Sequence, residues 1–186
     1  KFILSLQEGD PVDHIKRKAM FVYPLFISIF KKATVIHSIS NYLSGVAKNF
    51  GAKAPIHVIP NGVDVSLFTR EYPQEALEVL KQNLGKGPND CWLVTTSRLV
   101  LKNGIDTVLE ALTLMPESIG FLIIGTGGLE EQLREMVRDF GIENRVVFLG
   151  FVPHEEMPKY LKISDIFIRP SRSEGMGNSF IEAMAA

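Results

Sequence analysis

Two glutamates eight positions apart, Glu174 and Glu182, stand in a segment dominated by small residues. Gly175, Gly177, Asn178 and Ser179 leave backbone N–H groups accessible where a helix opens near Ser179, which makes an anion site. On an ideal helix eight residues rise about 12 Å and turn through about 80° net. The two carboxylates are therefore too far apart to share a proton. They also cannot flank one glycosidic bond, where a retaining pair stands about 5 Å apart. The span suits an elongated ligand with its phosphates on the amides and hydroxyls at both ends. Glu182 has a structural reading as well, because Ser179-x-x-Glu182 fits a capping box. Glu174 lies ahead of the helix and has no such reading.

A second set of cations is Arg98 and Lys102, four residues apart just after an apolar run. An Arg offers a planar fork to a phosphate and a Lys a mobile point charge, although solvated loop cations would look the same. Gly125, Gly127 and Gly128 tempt a dinucleotide-binding reading, but Glu130 stands where its third glycine is needed. Glu130 and Glu131 suit the first turn of a helix and would repel a pyrophosphate there, so the segment reads as a tight strand-to-helix turn. No lysine follows a glycine loop in the phosphate-cradling pattern, and no Gly-x-Ser-x-Gly elbow occurs. His14, His37, His57 and His154 are scattered without ligand spacing, so no metal site is expected.

These groups must be held by elements, and the pattern of elements is regular. Trp92–Thr96, Gly120–Ile124, Val146–Leu149 and Asp165–Arg169 read as strands, with helical periodicity between them at Ile105, Val108, Leu109 and Leu112 and at Leu129, Leu133, Met136, Val137 and Phe140. Phe2–Leu6, Thr34–Ser38 and Ile56–Ile59 read as earlier strands, the last ended by Pro60-Asn61-Gly62. Strands alternating with helices predict an α/β, doubly wound (Rossmann-like) parallel sheet, with ligands at the carboxyl ends of strands.

With 186 residues, 46% hydrophobic and 22% charged, the chain has apolar material for a core and no disorder signature. A formal net charge of -1 provides no global field for nucleic acid, so nucleic-acid binding is disfavoured. The single cysteine, Cys91, excludes a disulfide framework and fits a reducing, cytoplasmic compartment. The most apolar stretch runs from Met20 to Phe30, with Lys16, Arg17 and Lys18 before it and Lys31 and Lys32 after it. It has roughly half the length a bilayer-spanning helix needs. It reads first as a buried helix with basic ends. The alternative is a peripheral contact with an anionic inner-membrane surface.

Four segments taken together resemble the retaining nucleotide-sugar glycosyltransferases of family 4. They are Val58-Ile-Pro-Asn-Gly-Val-Asp64, Ser97-Arg98-Leu-Val-Leu-Lys102-Asn-Gly104, Phe148-Leu-Gly-Phe-Val152 and Pro170-Ser-Arg-Ser-Glu174-Gly-Met-Gly-Asn-Ser-Phe-Ile-Glu182-Ala-Met-Ala185. The last contains that family's Glu-x7-Glu signature. The resemblance implies a two-domain GT-B architecture. Residues 1–55 would be the C-terminal end of the acceptor-side domain, and residues 56–186 a truncated donor nucleotide-sugar-binding domain. It further implies that Arg98 and Lys102 grip the donor diphosphate and that Glu174 contacts the transferring sugar. Gly177, Asn178 and Ser179 would bind phosphate through their amides, Glu182 would hold the ribose, and Phe151 and Val152 would lie against the base. One departure is that many members carry the lysine one residue later, where this chain has Asn103. The resemblance also implies that the front of the acceptor domain, with its glycine loop and a histidine near the transferring sugar, would lie ahead of Lys1.

The implied reaction moves a sugar from a UDP- or GDP-sugar to an acceptor hydroxyl with retention, the acceptor being a saccharide, a lipid-linked group or another hydroxyl. Arg98, Lys102 and a helix N-terminus are the chemical types that stabilise a departing diphosphate. No cofactor or metal is expected, and no Asp-x-Asp motif is present. The leaving phosphate oxygen can take the acceptor proton, which gives Glu174 a positioning and electrostatic role. Alternatives of the same architecture are a sugar-nucleotide epimerase, a phosphorylase, or a catalytically silent nucleotide-sugar-binding subunit. Taken alone, this fragment is expected to bind donor weakly and to transfer nothing.

Overall fold

The structure is a computed structural model that describes residues 1–7 and 9–186. The chain divides into two compact units, Lys1–Gly62 with Ser173–Asn178, and Val63–Arg172 with Ser179–Ala186.

The first unit is built on a parallel sheet in the order β1-β2-β3, with β1 at Ile3–Leu6, β2 at Val35–Ser38 and β3 at Ile56–Val58. β3 pairs with β2, so the sheet carries this unit past residue 55 to Gly62. Helices α1 (Val12–Lys18), α2 (Tyr23–Lys32) and α3 (Asn41–Asn49) join the strands. α3 is started by Ser40, whose hydroxyl accepts the Leu43 N–H. Phe30, Ile36, Val46, Ala47 and Phe50 form the core, with Phe26 stacked edge-on to both Phe30 and Phe50.

The Met20–Phe30 stretch is not the buried helix expected of it. Phe30 is buried and Phe26 and Ile27 pack inward, but Phe21 is 91% exposed, and Met20, Val22, Leu25 and Ile29 also face solvent. A short 3₁₀ turn, Met20–Val22, leads into α2, and the two together leave an apolar outer face that hydropathy alone cannot distinguish from a core-facing one. Among the described residues no helix is long and apolar enough to cross a membrane.

The second unit opens with α4 (Val65–Phe68) and α5 (Gln74–Asn83). A parallel sheet follows in the order β6-β5-β4-β7, comprising β4 (Cys91–Thr96), β5 (Ile119–Ile124), β6 (Val146–Gly150) and β7 (Ile166–Phe167). Crossover helices are α6 (Ile105–Leu112), α7 (Glu130–Asp139) and α8 (Met157–Lys162), and α9 (Asn178–Ala185) follows β7. Successive residues of β4 and β5 serve opposite faces. Leu93, Phe121 and Ile123 meet α6 and α7 residues, including Leu109 and Leu133. Trp92, Val94, Leu122 and Ile124 meet Phe68 and Leu161. Burial on both faces is why these strands are apolar without alternation.

β7 is shorter than the Asp165–Arg169 run suggested. Asp165 uses its carboxylate at that edge, accepting the Trp92 N–H at 2.7 Å and pairing with Lys86 at 2.5 Å.

Candidate functional site

Strand order places the site. From β4 the chain moves through α6 to β5 on one side, while β7 returns to the other side of β4. The sheet therefore has its topological switch between β4 and β7, where ligands lie outside the carboxyl ends of such strands. Two loops of the second unit leave there, residues 97–104 and 168–172.

The first loop is braced from below by the glycine turn after β5. Leu99 N–H donates to the Thr126 carbonyl at 2.9 Å, and Leu129 N–H donates to the Leu99 carbonyl at 3.0 Å. Gly125 has φ +132°, and a Cβ there would come 2.0 Å from the Ser97 carbonyl oxygen. The glycine turn thus serves close backbone approach. Upon this support Arg98 projects to solvent, Lys102 is half-buried in a short 3₁₀ turn, Leu101–Asn103, and Asn103 is 2% exposed. Asn103 points inward, with Nδ2 donating to the Arg98 carbonyl at 2.6 Å.

The second loop is laced to the first. Arg172 N–H donates to the Lys102 carbonyl at 2.7 Å, and the Arg172 guanidinium donates to both carboxylate oxygens of Asp106 at 3.0 and 2.8 Å. That fork holds the Asp106 carboxyl below its ordinary range and raises Arg172. Arg169 donates to Ser179 Oγ at 2.8 Å and to Asn103 Oδ1 at 3.2 Å.

Helix α9 begins at Asn178, so Ser179 lies inside its first turn and the capping-box reading does not hold. Ser179 is buried, with its hydroxyl oxygen bonded by Arg169. Glu182 is directed to His154 instead, with 3.2 Å between Oε1 and Nε2. His154 in turn stacks edge-on against buried Phe68 at 5.3 Å.

On the loop after β6, Phe151 is 77% exposed, while Val152 packs on the apolar cluster of Phe68 and Trp92. The remaining predicted residues belong to the first unit. There Glu174 Oε1 accepts the Gly175 N–H at 3.1 Å, Gly177 is buried, and Asn178 Oδ1 accepts from Asn61 Nδ2 at 2.7 Å.

Within the second unit, then, the structure joins the Arg98 backbone to Ser179 through Asn103 and Arg169, ties the Lys102 carbonyl separately to Arg172, and sets Glu182 a turn along α9. Sequence reasoning missed Asn103, Arg169, Arg172 and His154. The available signal was two further arginines at the end of β7, in the same segment as the glutamates. Among the described residues no three His, Cys, Asp or Glu side chains cluster as a metal site.

Residues 78–186 fit the profile of the family described as "Glycosyl transferases group 1". A GDP-mannose-dependent alpha-(1-6)-phosphatidylinositol monomannoside mannosyltransferase of Mycobacterium tuberculosis is 34% identical over 164 residues, which is 82% of this chain and 42% of that protein. An alpha-monoglucosyldiacylglycerol synthase of Streptococcus pneumoniae is 26% identical over 93% of this chain and 41% of its own. In fold, the crystal structure of Anabaena HepE in complex with UDP and glucose is similar at TM-score 0.84 and 24% identity, over 98% of this chain and 50% of that one. The chain spans less than half the length of these curated relatives.

Proposed function

Because this chain belongs to the glycosyl transferases group 1 family, we propose that it supplies the donor-binding part of a retaining glycosyltransferase using a UDP- or GDP-sugar. The observation that carries this reading is the junction at the carboxyl ends of β4 and β7. There the Arg98–Lys102 loop is bonded through Asn103 and Arg169 to the first turn of α9. Cations and helix N–H groups at one point are suited to a diphosphate leaving group, whose charge develops as the sugar departs. Arg98 and Lys102 take the diphosphate together with the first turn of α9. Glu182 takes the ribose hydroxyls, and exposed Phe151 with Val152 lies by the base. Glu174, Gly177 and Asn178 precede Ser179 in the chain and are assigned to the sugar and phosphate on sequence grounds. The bond from the anomeric carbon to the diphosphate oxygen breaks as the acceptor oxygen bonds to that carbon. The acceptor proton passes to the leaving phosphate oxygen.

GDP-mannose is the first donor to test, since the mycobacterial relative is named for it. The acceptor assigned is a lipid-linked hydroxyl, because two relatives are named for lipid substrates or products. A specific observation favours the matching location at a cytoplasmic membrane surface. In the first unit, exposed Met20, Phe21, Val22 and Leu25 lie between exposed Lys16, Arg17 and Lys18 and exposed Lys31 and Lys32. Apolar side chains rimmed by cations suit an anionic bilayer surface. The proposed transfer is tested by incubating the complete protein with GDP-mannose and a phosphatidylinositol mannoside, then reading the product anomer by proton NMR. An α-linked product is expected, and a β-linked product contradicts retention.

A further inference from the structure

We propose that Arg169 is a positioning residue for the donor diphosphate, an inference that rests on the donor-binding reading above. Its guanidinium joins two elements that must address one ligand together. One nitrogen donates to Ser179 Oγ in the first turn of α9 at 2.8 Å, and the other donates to Asn103 Oδ1 at 3.2 Å. Asn103, almost wholly buried, passes the connection on by donating to the carbonyl of Arg98 at 2.6 Å. A continuous chain of three hydrogen bonds therefore runs from the helix to the backbone of the exposed cation Arg98.

Three chemical points support the assignment. A guanidinium presents several N–H donors in a fixed plane and can hold two acceptors at a set separation, which an ammonium on a flexible stem does not. Ser179 Oγ accepts from Arg169, which leaves the hydroxyl hydrogen to donate to an anion. Finally, a cation beside the first turn of a helix is disfavoured by the helix dipole, so its placement there works against stability unless an anion joins it. The Phe180 ring, 5.6 Å from the guanidinium carbon, helps to fix its plane.

The fold does not depend on this residue alone. Gly104, at φ +72°, lies so close to Pro170 that a Cβ would come 2.3 Å from its carbonyl oxygen. Arg172 ties the same two loops through Lys102 and Asp106. Arg169 extends that tie to α9, so its loss should loosen the geometry of the site more than the domain.

The test compares wild type, Arg169→Lys and Arg169→Gln in the complete protein, titrating GDP, GMP, UDP and UMP calorimetrically. Positioning predicts that both variants lower the ratio of diphosphate to monophosphate affinity by about tenfold, with lysine no better than glutamine. It also predicts that Ser179→Ala adds little to Arg169→Lys, because the two act through one bond. An Arg169→Lys ratio close to wild type overturns the inference and leaves only charge, and so does an unchanged ratio in both variants. Should Arg169→Gln fail to fold, Arg169→Lys and Ser179→Ala carry the comparison. If wild type binds neither diphosphate, the donor reading falls and this inference with it. If wild type binds and the ratios hold, this inference falls alone.

Discussion

His154 Nε2 lies 3.2 Å from Glu182 Oε1, linking the loop after β6 to the middle of α9. Glu182 keeps 18% of its side chain accessible and His154 keeps 54%, so the pair stands at the surface with the carboxylate oriented rather than sealed. The ribose role proposed for Glu182 calls for an oriented carboxylate. His154→Ala should raise the donor KM several-fold, by the order of one hydrogen bond, and leave kcat near wild type. Steady-state kinetics with GDP-mannose checks this, and a fall in kcat at constant KM would assign His154 elsewhere.

Arg98→Ala should weaken nucleoside diphosphate binding by roughly 1.5–3 kcal/mol, as expected for hydrogen bonds to a charged group. Monophosphate binding should change less, which calorimetry of the two ligands will show. Equal losses for both would place Arg98 away from the diphosphate.

If Glu174 faces the transferring sugar as proposed, Glu174→Gln should spare GDP or UDP binding and abolish transfer, because the isosteric amide keeps shape and removes the charge. Binding is read by titration and transfer by product formation. Retained transfer would remove Glu174 from the site.

The Asp106–Arg172 fork makes a pH-dependent contribution to stability. Arg172 lowers the Asp106 carboxyl below its ordinary value, so the folded state holds this proton less tightly than the unfolded chain. The stabilisation is therefore complete above the unfolded value of about 3.9. It is lost as pH falls through the lower folded value. Asp106→Asn should lower Tm at pH 7, and the two Tm curves should converge as pH drops below about 4. Parallel curves would show that the pair contributes through packing alone.

The exposed apolar residues of the Met20–Val22 turn and the start of α2 make a separate prediction about the membrane. The complete protein should sediment with vesicles containing phosphatidylglycerol and not with pure phosphatidylcholine vesicles, with binding falling at high salt. Phe21→Ser with Leu25→Ser should abolish binding while leaving nucleotide titrations unchanged. Equal binding to both vesicle types, or none, contradicts the membrane reading. If the wild type binds no vesicles and the double variant is less stable, the apolar face is covered by another part of the protein.

The architecture was legible wherever burial leaves a one-dimensional trace. β4 and β5 are continuous apolar runs because Leu93 and Val94, or Phe121 and Leu122, serve opposite faces. The Ile105–Leu112 face repeats at helical spacing because one side of α6 meets the sheet. The exposure of Phe21 left no such trace, since an apolar residue on an outer face looks like one on a core face. In the site, the cations and glutamates were identifiable by type, but their wiring was not. The Arg169–Asn103 bond spans 66 positions and depends on β4 and β7 being neighbours, which spacing does not encode. Ser179 and Glu182 matched a capping box by spacing, but α9 starts at Asn178, two residues before such a box would begin it, and the two side chains have separate partners.

The most direct test of donor binding is calorimetric titration of the complete protein with GDP, UDP and NAD. Saturable binding of GDP or UDP that weakens in Arg98→Ala, with no binding of NAD, is expected. Binding of NAD together with failure to bind either nucleoside diphosphate would contradict it.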